Sequence, residues 1–325
     1  MTTADVIRSR IDDFAMTIAG ESGRPLEDAR TLLRFLATAV DSRSPAMFLD
    51  YVAWAKVVVA RHGRGEPDLT GDLRALARLV HQWPDALAMV RSAAAELPEM
   101  PDDVPSLLDP HAPLWSVATE YLSAILLGNR LDAQQLVLCA VEGGATLRDI
   151  YRYVFEPVQQ EIGRLWQLNR VSVAQEHFCT AATQLIMTQL YSRIFSVPKN
   201  GYRAVAMGVG GELHEVGLRI ITDLLEAEGW ETWYLGANVP SADAVQYCID
   251  HKAGFLLVSV TLPPQLEHAQ ALIRSFRERS ELGAARVVVG GRAFRTAPAL
   301  WHTIGADGYA ADADQCLALL DRLVR

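Results

Sequence analysis

The chain has no Cys-x-x-Cys pair, no run of lysine and arginine, and no apolar stretch of bilayer length, and each absence removes a class of function. Its four cysteines, Cys139, Cys179, Cys248 and Cys316, lie far apart in 325 residues, which argues against a zinc site and against a disulfide framework. They are expected as reduced thiols in a cytoplasmic protein. Thirty basic residues against 39 acidic ones leave a formal charge of -9, which repels phosphate backbones, so nucleic acid is not expected as a direct partner. No segment is apolar for long enough to span a bilayer. The opening MTTADVIRSRIDDF is acidic and interrupted rather than basic and then apolar, so no export signal is expected.

What is present divides the chain in three. Half of the residues are apolar, enough for a sizeable core. Up to residue 97 they recur at helical spacing, broken by SGRP, DSRSP and HGRGEPD, and four or five helices are expected there, in a domain over residues 1–105. PEMPDDVPSLLDPHAP, with five prolines, resists both helix and strand and marks a boundary. Four helical segments with short connections follow, as in an antiparallel four-helix bundle over residues 113–198. In the last of them Ser172 and Gln175 fit a capping box that starts the helix at Val173. From residue 201 to 325 the period changes: YRAVAMGVG, WETWYLG, GFLLVSVT, ARVVVGG and DGYAAD are short apolar runs separated by amphipathic stretches. The fold class expected is therefore α/β plus all-α, ending in a doubly wound, Rossmann-like parallel sheet of five strands with its ligand site at their carboxyl ends.

The turn after the first of those strands reads GGELHEVG. A dinucleotide fingerprint fails there, because Leu213 stands where the third glycine belongs and the second strand ends YLGANVP, without an acid for a ribose hydroxyl. What remains is Glu212-x-His214-x-x-Gly217. In an extended loop residues two apart project to one side, so Glu212 can accept one ring N–H of His214 and leave the other nitrogen as a metal ligand. A histidine on its own is more often a solvated or core residue.

Glu212, His214 and Gly217, followed by Ser259-Val260-Thr261 at the third strand and by Gly290-Gly291 after the fourth, resemble in order and spacing the cobalamin-binding domains. There the pattern is Asp-x-His-x-x-Gly, Ser-x-Leu or Ser-x-Thr, and Gly-Gly. The resemblance implies that His214 binds cobalt from the lower face, displacing the cofactor's dimethylbenzimidazole, whose tail enters a slot past Ser259 and along Gly290 and Gly291. Glutamate in place of aspartate departs from the enzyme pattern and, like YLGANVP, looks like the light-sensing branch of the family.

Trp166, nine further residues, then Glu176 and His177 are similar to the Trp-x9-Glu-His element of the CarH-type photoreceptors, in which a four-helix bundle sits over the corrin. That resemblance implies adenosylcobalamin as cofactor, covered by Trp166 and held by Glu176 and His177, with expulsion of the adenosyl group by light. Read without it, Trp166 is a packing aromatic and the other two are ordinary first-turn residues. Gln167 stands where the relatives have a histidine that captures cobalt after photolysis, so the ligand that follows photolysis is left open. Residues 1 to 97 have no basic recognition helix of the kind CarH-type regulators carry, and direct action on DNA is not expected.

SPAMFLDYVAWAKVVVARHGRG concentrates Phe48, Tyr51, Trp54, Arg61, His62 and Arg64. It reads as an amphipathic core helix with a basic end, or more sharply as a pocket for biliverdin or another linear tetrapyrrole, as the resemblance to the photocobilins implies, with Tyr51 and Trp54 as walls and Arg61 and His62 for propionates. The function expected is that of a light-sensing signalling protein, not an enzyme, acting as a homo-oligomer (dimer or tetramer) on a downstream signalling protein. A corrinoid carrier for methyl transfer is the alternative. A radical mutase would need a substrate barrel, and no segment here could form one.

Overall fold

A computed structural model describes residues 1–62, 69–191 and 197–325. Six α-helices precede the proline-rich segment: α1 (Thr3–Ser9), α2 (Ile11–Ser22), α3 (Leu26–Asp41), α4 (Pro45–His62), α5 (Leu69–Leu79) and α6 (Pro84–Glu96). That exceeds the four or five expected, because Arg10 leaves helical geometry (φ -112°, ψ 18°) and divides one periodic run into α1 and α2. The proline-rich segment forms no helix from Met100 to Leu114, yet it is pinned: Glu161 accepts the Leu107 N–H at 2.9 Å and Arg164 donates to the Val104 carbonyl at 2.6 Å.

The bundle consists of α7 (Trp115–Leu126), α8 (Arg130–Glu142), a third rod, and α11 (Val173–Leu190), which opens on the Ser172–Gln175 capping box. The third rod is not one helix. Its start, α9 (Leu147–Ile150), passes through a π-helical turn over Tyr151–Phe155 before α10 (Glu156–Gln167). Pro157 offers no N–H to the Tyr153 carbonyl four residues back and would press its ring against it, and a wider turn relieves both conflicts.

The remainder alternates as β1 (Arg203–Gly208), α12 (Val216–Ala227), β2 (Glu231–Tyr234), α13 (Ser241–Asp250), β3 (Phe255–Ser259), α14 (Leu266–Arg277), β4 (Arg286–Gly290), the short α15 (Leu300–Thr303), β5 (Gly308–Ala310) and α16 (Ala313–Leu323). All pairings are parallel, in the order β2-β1-β3-β4-β5. Strand side chains alternate faces, and the two faces belong to two different cores. Val205, Met207, Leu256, Val258, Val287 and Val289 join α13, α14 and the N-terminal helices in one apolar cluster. Ala204, Ala206, Phe255, Leu257 and Val288 join α12, α16 and the bundle in the other. The sheet is a wall between a helical domain on one side and the bundle on the other.

Candidate functional site

At the carboxyl end of β1 the chain turns through Glu212, whose side chain is fully buried. Its Oε1 accepts both the backbone N–H and the Nδ1–H of His214, each at 2.8 Å, and its Oε2 accepts the Thr261 N–H. Burial alone would push this carboxyl up, but the hydrogen bonds from His214 and Thr261 outweigh it and the group is held below the ordinary glutamate range. The same bond raises His214 above the usual histidine value despite partial burial. The tautomer follows: Nδ1 carries the proton, and the lone pair of Nε2 is offered by a side chain that is 62 % exposed.

Neighbours hold this turn in place. A Cβ at Gly208 would approach Glu212 Cγ to 3.0 Å, so the strand ends on glycine to admit the buried acid. Asn238 accepts the Gly211 N–H at 2.7 Å, and Gln265 donates to the Gly211 carbonyl at 2.7 Å. Reading the sequence did not single out Asn238 or Gln265, although Asn238 lies within the YLGANVP stretch.

Gly208, Ser259 and Gly290 are register partners on three adjacent strands, which brings the three sequence elements to one edge of the sheet. Thr261 meets the turn through its N–H. Gly290 would bring a Cβ to 3.1 Å from the Ala310 carbonyl, and Gly291, at φ +99°, would drive one to 2.3 Å from the Val260 carbonyl. Gly217, in the first turn of α12, borders open space: nothing lies within 4 Å of its would-be Cβ. Leu213 and Leu262, beside His214 and Thr261, are 73 % and 41 % exposed and form an apolar rim.

The bundle closes over this edge. Gln184 of α11 donates to Glu215 at 2.6 Å, and the Glu176 carboxylate stands near enough to His214 to add to the rise in its pKa. Glu176 accepts the Thr180 hydroxyl at 3.1 Å and lies 2.8 Å from Nδ1 of His177, which is largely exposed. Trp166, at the end of α10, stacks on Trp54 of α4 with ring centroids 6.1 Å apart and planes 26° from parallel, and meets His62 edge-on at 5.7 Å. Gln167 is buried and donates to the Trp54 carbonyl at 3.3 Å. Of the residues considered for a tetrapyrrole, Tyr51 stacks on Phe35 at 4.1 Å, Arg61 pairs with Asp103 at 3.1 Å, and Trp54 and His62 lie on Trp166. Phe48 is in the core, and Arg64 is outside the described residues.

Among the described residues no group of three or more His, Cys, Asp or Glu side chains could hold a free metal ion. A lone imidazole oriented by an acid suits a metal that arrives with its other ligands in place, as cobalt does in a corrin, and the apolar rim suits the macrocycle. The donor set fits that cofactor. Among the same residues no helix is long and apolar enough to cross a membrane.

Residues 202–318 match a family described as B12 binding domain, and residues 117–191 match a second family of the same description. The dimethylamine corrinoid protein 3 of Methanosarcina acetivorans is 28 % identical over 116 residues, 36 % of this chain and 54 % of that protein. The chain thus spans about half the length of the dimethylamine corrinoid proteins it matches. The HTH-type transcriptional repressor CarA of Myxococcus xanthus is 24 % identical over 255 residues, 77 % of this chain and 81 % of that one. The structure of the Methanosarcina barkeri monomethylamine corrinoid protein covers 64 % of this chain and 99 % of its own, with 20 % identity and a TM-score of 0.57, a likeness of fold. The two matched regions meet through Gln184 and Glu215 beside an imidazole that a buried acid holds ready for a metal, and the chain is a cobalamin-binding protein.

Proposed function

We propose that this protein is a light-responsive signalling module in which His214 holds adenosylcobalamin from below while Trp166, Glu176 and His177 close over its upper ligand. The observation that supports the reading is the hydrogen bond from Gln184, on the bundle helix that also carries Glu176 and His177, to Glu215, next to His214, at 2.6 Å, which sets that helix against the ligand turn of the sheet domain. When bound, the cofactor supplies a cobalt–carbon bond that visible light breaks. The chain's part is to orient His214 through Glu212, to exclude water with Leu213 and Leu262, and to pack an indole against the upper group. Were that group lost, a void would open beside Trp166, which a packed interface tolerates poorly, and α10 would have to move to fill it. The readout is conformational or oligomeric, a dimer or tetramer relaying to a downstream protein in the cytoplasm, with no catalysis and no direct contact with nucleic acid.

The methylamine corrinoid relatives support a second reading, a corrinoid carrier for methyl transfer, which has no use for a lid that selects a bulky adenosyl group. The two separate on one set of measurements. The photoreceptor binds adenosylcobalamin more tightly than methylcobalamin, and green light changes its elution volume or bundle position. His214→Ala weakens binding about 10- to 100-fold and removes the His-ligated absorption spectrum, whereas Trp166→Ala keeps the cofactor and loses the preference. Identical dark and lit profiles, with Trp166→Ala still preferring the adenosyl form, would leave the carrier. A bilin beside the cobalamin would belong to the first reading, since Tyr51 and Trp54 continue the aromatic run that ends on Trp166. Saturation with biliverdin without a red-shifted band would dismiss it.

A further inference from the structure

The N-terminal domain rests against the sheet domain, with α3 beside the Pro263–Gln265 turn and Arg8 reaching Glu267 at 3.5 Å, but one of its helices goes further. On α4, Asp50, Trp54 and His62 are spaced four and eight residues apart and share a face. Asp50 accepts from Arg292, in the turn that follows Gly291, at 3.1 Å. Trp54 stacks on Trp166, and Nε2 of His62 donates to the Trp166 carbonyl at 3.0 Å. The bundle answers with Gln167 donating to the Trp54 carbonyl at 3.3 Å and Asn169 to the Arg61 carbonyl at 3.2 Å. One helix is therefore joined to the sheet domain near the ligand turn and to the bundle at its lid residue.

The two attachments differ in kind. The domain is fixed to the sheet side by a continuous apolar cluster, whereas the described contacts between α4 and the end of α10 are one ring stack, one ring edge and a few single hydrogen bonds. So small a set of contacts opens at lower cost than the apolar base of the domain, and a displacement of α10 would be felt at this seam first. Behind Trp54 the rings continue through Tyr51 to Phe35 on α3, so a displacement of the indole meets packed aromatics rather than solvent.

We propose that Trp54 is the positioning residue for Trp166, and that through this stack the N-terminal domain receives the state of the cofactor's upper ligand. The inference rests on the reading of Trp166 as the lid. Trp54 meets Tyr51, Trp166 and Gln167, none of them in the turn that carries His214. It sets where the indole of Trp166 stands, and so takes part in choosing the upper group.

The test uses the full chain with Trp54→Ala and Trp54→Phe, loaded with adenosylcobalamin, methylcobalamin or hydroxocobalamin. In the unaltered protein, amide exchange over Pro45–His62 differs between the adenosyl and hydroxo forms. In Trp54→Ala the His-ligated absorption spectrum remains, the adenosyl-to-methyl affinity ratio falls about two- to tenfold, and exchange in α4 becomes the same with either cofactor. Trp54→Phe recovers most of both. Retention by Trp54→Ala of the full ratio and of cofactor-dependent exchange in α4 would overturn the proposal even where Trp166→Ala confirms the lid. If the unaltered protein shows no adenosyl preference, the lid reading fails and the cobalamin-free protein decides the positioning role. Trp54→Ala must then speed exchange over Leu165–Leu168 several-fold while α9 stays as it was, and equal exchange at those residues overturns it.

Discussion

Glu212 and Asp223 are both buried carboxylates of the sheet domain, and they shift opposite ways, because hydrogen-bond donors outweigh burial at the first and burial outweighs the single donor at the second. Glu212 collects two N–H groups from His214 and one from Thr261, and stays charged. Asp223 receives the hydroxyl of Tyr151 at 2.7 Å, and burial pushes its carboxyl up to about 6. A carboxyl raised in the fold favours the protonated state, so its stabilising share is complete below about pH 4 and is lost as the pH rises through 6. Asp223→Asn keeps an acceptor for Tyr151 and removes the titration. Relative to the unaltered protein, the variant is expected to gain on the order of 2 kcal/mol between pH 4 and 7, read from urea midpoints at each pH. A constant difference across that range would show that Asp223 is ionised throughout. The pairing of Glu212 with His214 was legible in the sequence because the two lie two residues apart in a loop. The Tyr151–Asp223 bond was not, because 72 residues separate its ends and no local pattern records it.

At the scale of elements, periodicity carried most of the fold. The change of period after residue 200 marked the five parallel strands, and three short elements, two with glycine and one with serine and threonine, marked the sheet edge on which His214 stands. Two features escaped. The π-helical turn at Tyr151–Phe155 sits inside an unbroken amphipathic pattern, where only Pro157 hinted at trouble. The seam of α4 with α10 joins residues more than a hundred apart, and no local pattern records it. Glycines at the site divide by what a methyl group would meet. Gly291→Ala combines a left-handed φ with a carbonyl at 2.3 Å and is expected to cost about 2–4 kcal/mol in the cobalamin-free protein. Gly217→Ala meets nothing, so melting of the cobalamin-free protein should stay within about 1 kcal/mol of the original, while a methyl in the space beside His214 lowers cobalamin affinity. Paired thermal melts and cobalamin titrations check both, and the idea of a reserved space at Gly217 is wrong if its affinity is unchanged.

For the whole molecule the main fact is the division of apolar residues into two clusters with the sheet between them. Neither side is an appendage. A chain shortened to residues 113–325 keeps the bundle and the sheet but uncovers the apolar surface around Leu266, Ala293 and Phe294. It is expected to unfold at lower urea than the full chain and to bind a hydrophobic dye, and a fragment matching the full chain in both would make the first domain a passenger. The same division bears on how the protein is made. Helices α1–α6 leave the ribosome before the sheet and must present their apolar side to partners encoded about 200 residues later, so at about 5–20 residues per second they wait roughly 10–40 s for them. Through that interval the nascent chain carries an uncovered sticky surface, which makes the growing polypeptide, rather than the finished protein, the form most in need of a chaperone.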